Sequence, residues 1–167
     1  QNSAGGVLVA LFLVAAFSLW AGWHRWKELR EWFAGQKRLV LTVELLFLGA
    51  YLFWCVVRAA NPEIIYTEKP MEYAFINAIL RSPTFPPFDP WLSGYAISYY
   101  YFGYVIVAML IHLSGVASSI GFNLGIAMWF ALTAVAAYGV LYNLVVGVFE
   151  KQESSSSKKR ATGYALL

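Results

Sequence analysis

The stretch Leu39–Val57, LVLTVELLFLGAYLFWCVV, carries one charged residue, Glu44, in nineteen positions. A helix needs about 20 mostly apolar residues to cross a hydrocarbon layer roughly 30 Å thick, so this stretch has the length and composition of a membrane span. Working outward, residues 5–23 hold no charged side chain, 97–116 hold only His112 as a candidate cation, and 120–149 again hold none. The whole chain agrees with that reading, since 60% of its 167 residues are hydrophobic and 13% charged, where a soluble domain has about half and a quarter. The sequence therefore predicts an all-α fold, a polytopic transmembrane helix bundle with four spans, and argues against an ordinary soluble enzyme. ATGYALL at 161–167 reads as the start of a further span. The first span lacks a basic leader and follows Gln1 without an initiator Met, so the chain is expected to be an internal piece of a larger membrane protein and not to open with a secretory signal.

Charge placement says more than the net charge of +3. That net is small and scattered, which argues against a nucleic-acid partner. Between the first two spans, HRWKELREWFAGQKR sets Arg25, Lys27, Arg30, Lys37 and Arg38 against Glu28 and Glu31. Short loops rich in Lys and Arg face the cytoplasm, and the flanking Trp20, Trp23, Trp26, Trp32 and Phe33 suit the headgroup layer. An anionic-lipid contact is the second reading of this loop. The following loop, 59–96, holds Lys69 and Arg81 against Glu63, Glu68, Glu72 and Asp89, so its sign suits the extracytoplasmic side of the cell membrane. Simple alternation then puts the tail KQESSSSKKR outside despite its cations. Span counting and charge counting disagree there, unless Tyr99–His112 is re-entrant. The serine run itself reads as a mobile connection between spans.

Loop 59–96 is longer than packing requires, and it holds all six prolines of the chain. Pro70 suits a first helical turn. From Met71, the apolar residues Ala74, Phe75, Ala78 and Ile79 follow at helical spacing, which predicts a short amphipathic helix lying on the membrane surface. Its other face would carry Tyr73, Asn77 and Arg81. Phe85-Pro86-Pro87-Phe88-Asp89-Pro90-Trp91 is too proline-rich for regular structure and reads as a stiff strap holding Asp89. Tyr99-Tyr100-Tyr101-Phe102-Gly103 closes the segment. Within the spans, Gly121 and Gly125 form a small-xxx-small pair suited to close helix contact, and Asn123 and Asn143 suit interhelical hydrogen bonds. His112 suits an interfacial hydrogen bond.

Asn61-Pro62-Glu63, Glu68-Lys69-Pro70-Met71, Asn77-Ala78-Ile79-Leu80-Arg81-Ser82, Phe85-Pro86-Pro87, Asp89-Pro90-Trp91 and Tyr99-Tyr100-Tyr101-Phe102-Gly103 together resemble the motifs of the "YYY" multi-spanning membrane proteins of bacteria and archaea. The resemblance runs roughly from Glu44 to Asn143, with Glu72 where Asp is usual and Ser98 where Asn is usual. That family in turn resembles, in architecture, the polytopic GT-C glycosyltransferases that draw sugars from polyprenyl-phosphate carriers. The resemblance implies a catalytic outer loop, a polyprenyl-phosphate sugar as substrate, and the rest of the polypeptide or other membrane subunits as partners.

Such a transfer needs a carboxylate to accept a proton or hold a divalent ion, and a cation beside the leaving phosphate. Glu68 is the first candidate, placed by Lys69-Pro70-Met71 at the head of the surface helix; Asp89 is the second. The same two would ligate a hard ion, Mg²⁺ or Mn²⁺. Arg81, Lys69, Asn77, Tyr99, Tyr100 and Tyr101 are the candidate substrate-binding residues. Each has a plainer reading: Glu68 as a helix N-terminal charge, Asp89 as a turn former, Arg81 as a helix C-terminal charge, Lys69 as a snorkelling side chain, and the tyrosines as an aromatic belt. The alternative for the whole is a non-catalytic structural or assembly subunit of a membrane complex.

Overall fold

The computed structural model describes residues 2–92 and 94–164, with side chains as far as residue 148. Six helices appear among these residues: α1 (Ala4–His24), α2 (Trp26–Gly35), α3 (Lys37–Ala60), α4 (Lys69–Arg81), α5 (Phe102–Ser114) and α6 (Ser118–Tyr164). The architecture is the expected all-α membrane bundle. Three helices are long and apolar enough to cross a bilayer: α1, α3 and the 31-residue part Ser118–Val148 of α6. The large exposed side chains along them, such as Phe12, Leu19, Phe53 and Val140, are what a bilayer would cover.

The expected span at 97–116 differs. Its helix, α5, has only 13 residues, about 20 Å of rise, too short for the roughly 30 Å core. Residues 97–101 are spent before the helix begins, because the Ile97 N–H donates to the Pro87 carbonyl at 3.0 Å and closes the proline strap onto itself. Gly115, at φ 68°, then ends α5 in the left-handed conformation and donates to the Ile111 carbonyl. The chain turns back into α6. Gly103 lies by Trp129, Val107 by Gly125 and Ile111 by Gly121, so α5 runs antiparallel along the first turns of α6.

α3 and α6 pair along their length, with Trp54 stacked on Phe130 at 4.2 Å and Arg58 bonded to Asn123. The end of α3 thus lies beside the start of α6, and the two are antiparallel. At the same end, the Asn2 amide donates to the Ser82 carbonyl at 2.8 Å and to the Ile79 carbonyl, tying the start of α1 to the end of α4. One end of the bundle therefore gathers α4, the strap and α5; the opposite end holds the basic connector. That connector is a helix, α2, and not a loop. Counted by the three candidate crossings, α6 leads its basic tail back to the connector end. Residues 150–160, expected as a mobile connection, continue α6, consistent with the good helix formers Glu150 to Glu153 and Lys158 to Ala161. Of the further span expected at 161–167, residues 161–164 extend α6 and the last three lie outside the described residues.

The amphipathic helix forms as predicted, but it buries two faces. Phe75, Ala78 and Ile79 pack with Ile97 and Ala108, while Ile76, off the predicted stripe, packs with Val107, Ile111 and Phe122. α4 is wedged against α5 and α6, so apolar side chains are needed on both sides. Asn143 is another departure: its amide bonds its own helix at the Gly139 carbonyl, 2.8 Å away. His112 is a third, with Nε2 buried and unpartnered.

A Cβ on Gly121 would overlap Cγ1 and Cδ1 of Ile111. Overpacking of this kind costs about 1–3 kcal/mol, more than the ~1 kcal/mol Ala gains over Gly in a helix. Gly121→Ala is expected to lower the Tm of the detergent-purified protein, and to lose that effect in an Ile111→Ala background; equal effects in both backgrounds would contradict the packing.

Candidate functional site

The gathered end is organised around a buried cation. Arg58, 8% exposed, donates from Nε to the Asn123 side-chain oxygen at 2.7 Å and from Nη2 to the Glu63 carbonyl at 3.1 Å. Asn123 in turn donates to the carbonyls of Pro62 and Ser119. A buried charge is tolerable only when its donors are satisfied, and hydrogen bonds to a charged donor are the stronger kind. Neutral oxygens do that work here, and they pin residues 61–63 where α3 leaves off.

From there the backbone turns sharply. Tyr66 and Thr67 sit at φ 63° and 56°, a left-handed conformation uncommon for side-chain-bearing residues and costly by about 1–3 kcal/mol each. This double turn delivers Glu68 to the head of α4, where its carbonyl accepts from the Glu72 N–H at 3.0 Å. The Glu68 side chain makes no capping bond. Spacing of i, i+4 puts Glu72 on the same helix face.

That face meets the tyrosines. Phe75 is the hub, with Trp91, Tyr99 and Tyr104 packed on it at ring separations of 5.3, 5.6 and 5.8 Å. Tyr99 stacks on Tyr100 at 3.9 Å and donates its hydroxyl to the Tyr100 oxygen at 2.7 Å. That bond, then loss of solvent and the negative charge of Glu68, push the Tyr99 hydroxyl up to about 12. Burial first, then the negative charge of Glu72 and to a smaller degree that of Glu68, push the Tyr104 hydroxyl up to about 12 as well. Glu72 and Tyr104 also line a cavity of about 230 Å³ with Ile76, Phe122 and Trp129. Val107 and Gly125 form a wall shared with a larger apolar cleft of about 500 Å³ between α3, α5 and α6.

The structure thus sets Glu68 within electrostatic reach of Tyr99 and Tyr104, and adds Glu72, which was not among the candidates named from the sequence. Its spacing from Glu68 and its place beside the apolar positions Met71 and Phe75 were the available signal. Asp89 has a different setting: one carboxylate oxygen accepts from the N–H groups of Trp91 and Leu92 at 2.8 and 2.9 Å, the work of a turn former. Arg81 donates from Nε to the Asn77 carbonyl, and Asn77 donates to the Tyr73 carbonyl, so both are engaged along their own helix. Tyr73 bonds Ser118 at 2.9 Å instead of sharing an outer face with them. Tyr101 precedes α5 and packs against the Phe75 cluster, while Lys69 is half-buried beside Glu68. Among the described residues no three His, Cys, Asp or Glu side chains gather as a metal centre.

A helix bundle with three candidate crossings and a polar, aromatic pocket gathered at one end defines a multi-span membrane protein. Residues 1–167 match the family described as uncharacterized membrane protein (DUF2298), and the chain belongs to that family. No curated protein and no solved structure matches it.

A phenol raised from 10 to about 12 favours the folded state below pH 10 and loses that contribution as pH rises toward 12. Absorbance titration of phenolate should show two tyrosines, Tyr99 and Tyr104, ionising near that upper value, with one of the two lost in Tyr99→Phe and one shifted down in Tyr100→Phe. Unaltered titration in Tyr100→Phe would contradict the paired hydroxyls.

Proposed function

We propose that this chain is part of a GT-C-like glycosyltransferase that moves sugars from polyprenyl-phosphate carriers, with its gathered end on the extracytoplasmic side of the cell membrane and its basic connector in the cytoplasm. The observation that carries the reading is the cavity lined by Glu72 and Tyr104, which shares a wall with an apolar cleft and has Glu68 one turn before Glu72. A lipid-linked substrate needs both environments in contact: charge chemistry for its head and an apolar channel for its chain. The five cations of the connector support the orientation.

In this reading Glu72 or Glu68 takes the proton from an acceptor hydroxyl. The acceptor oxygen bonds the anomeric carbon, the bond from that carbon to the phosphate oxygen breaks, and polyprenyl phosphate leaves with the electron pair. Lys69 is the cation suited to steady that phosphate. Arg81 lies twelve residues further along α4, about 18 Å at 1.5 Å per residue, too far to serve the same centre as Glu68. The tyrosine faces offer a platform for a sugar ring. A hard ion, Mg²⁺ or Mn²⁺, would be held by Glu68 and Glu72 with water and phosphate completing its shell, and would supply further positive charge to the phosphate. Asp89 keeps the strap in shape.

The test is release of polyprenyl phosphate from a radiolabelled polyprenyl-phosphate sugar by the intact protein in its native membrane. Loss of a general base lowers such rates by about 10²- to 10⁴-fold. Glu68→Gln and Glu72→Gln are expected to fall in that range for at least one position, whereas Asp89→Asn, which keeps its turn acceptor, is expected to stay near wild type. Wild-type turnover in both glutamine variants would overturn the proposal.

A further inference from the structure

The opposite end of the bundle carries a second cavity, independent of the loop-end site. α2 is a ten-residue amphipathic helix held between two non-helical corners at Arg25 and Gln36, and Leu29 lies over Gly22 of α1, where an added Cβ would be in van der Waals contact with it. Between α2 and the first turns of α3 lies a groove of about 680 Å³. Trp26, Phe33 and Leu41 give it an apolar floor, Arg30 and Lys37 stand on its two helical walls, and Glu44 also lines it. The groove opens where α1 ends and α3 begins, two of the three helices long and apolar enough to cross a bilayer.

We propose that this groove binds one anionic phospholipid, with the phosphodiester between Arg30 and Lys37 and the upper acyl chain on Trp26, Phe33 and Leu41. Charge complementarity selects the occupant: the walls offer two cations, and the segment from Arg25 to Arg38 has five cations against two carboxylates. A guanidinium pairs with a phosphate through parallel donors, while ring faces accept the start of a chain. Basic recesses between membrane helices are suited to such headgroups. Glu44 lies seven residues beyond Lys37 on α3, about 10 Å deeper. It repels negative charge from the floor and so confines the phosphate to the mouth.

Native mass spectrometry of the intact protein, equilibrated with equal phosphatidylglycerol and phosphatidylcholine, tests the site. The wild type is expected to retain phosphatidylglycerol about tenfold over phosphatidylcholine, given the attraction of two basic residues for an anionic headgroup. Arg30→Gln/Lys37→Gln is expected to lose that preference, Glu44→Gln to strengthen it, and Arg25→Gln/Lys27→Gln, which removes two cations that do not line the groove, to keep it. Equal retention of the two lipids by the wild type would overturn the proposal without any variant. So would an equal loss in both double variants, which would mark diffuse attraction, or a protein dimer in place of lipid adducts.

Discussion

The bond between Arg58 and Asn123 is the constraint from which the arrangement of the bundle follows. It joins the last turn of α3 to the first turns of α6 across 2.7 Å, and therefore fixes the two long helices as antiparallel neighbours. A guanidinium placed there cannot be left without acceptors, because stripping water from an unpaired charge costs far more than one hydrogen bond returns. The Glu63 carbonyl accepts a second of its N–H donors. The same bonds that satisfy the charge also decide where the next segment of chain starts. The loop end is thereby built outward from a single buried cation.

A second layer rests on that base. Gly121 and Gly125 let α5 lie close against α6, α4 wedges onto both, and Phe75 collects Trp91, Tyr99 and Tyr104 around one ring. Aromatic packing of this kind holds side chains in place at little cost in mobility, since each ring has two torsions to fix. It leaves Tyr99 and Tyr104 within the electrostatic influence of the carboxylates at the head of α4. Strain at Tyr66 and Thr67 is consistent with a turn that the surrounding contacts hold in an unfavourable shape to aim Glu68.

Much of this was legible in the sequence, for physical reasons that differ by element. Leu39–Val57 and residues 5–23 announce themselves because a long uncharged run has few alternatives to crossing a bilayer. The apolar spacing from Met71 to Ile79 located α4, and Gly121 and Gly125 marked a close contact. Residues 97–116 misled because a count of apolar residues does not reveal that Ile97 is spent on closing the strap or that a helix starts only at Phe102. The basic tail was the hint, since its charges fit three crossings better than four. Glu72 was missed because the pocket that distinguishes it from a solvated carboxylate is made by Tyr104, Phe122 and Trp129, which lie more than thirty residues away in sequence. Ile76 escaped for the same reason, its second packing partner being invisible to helical periodicity.

The three-crossing arrangement is the claim on which both the gathered site and the sidedness depend, and cysteine accessibility tests it most directly. With Cys55 replaced by Ser, single cysteines at Lys27, Thr84 and Lys151 would be labelled in sealed vesicles of known orientation with a membrane-impermeant maleimide. The account predicts Lys27→Cys and Lys151→Cys labelled from one side and Thr84→Cys from the other. Labelling of Lys27→Cys and Lys151→Cys from opposite sides would mean that α5 crosses, and would contradict it.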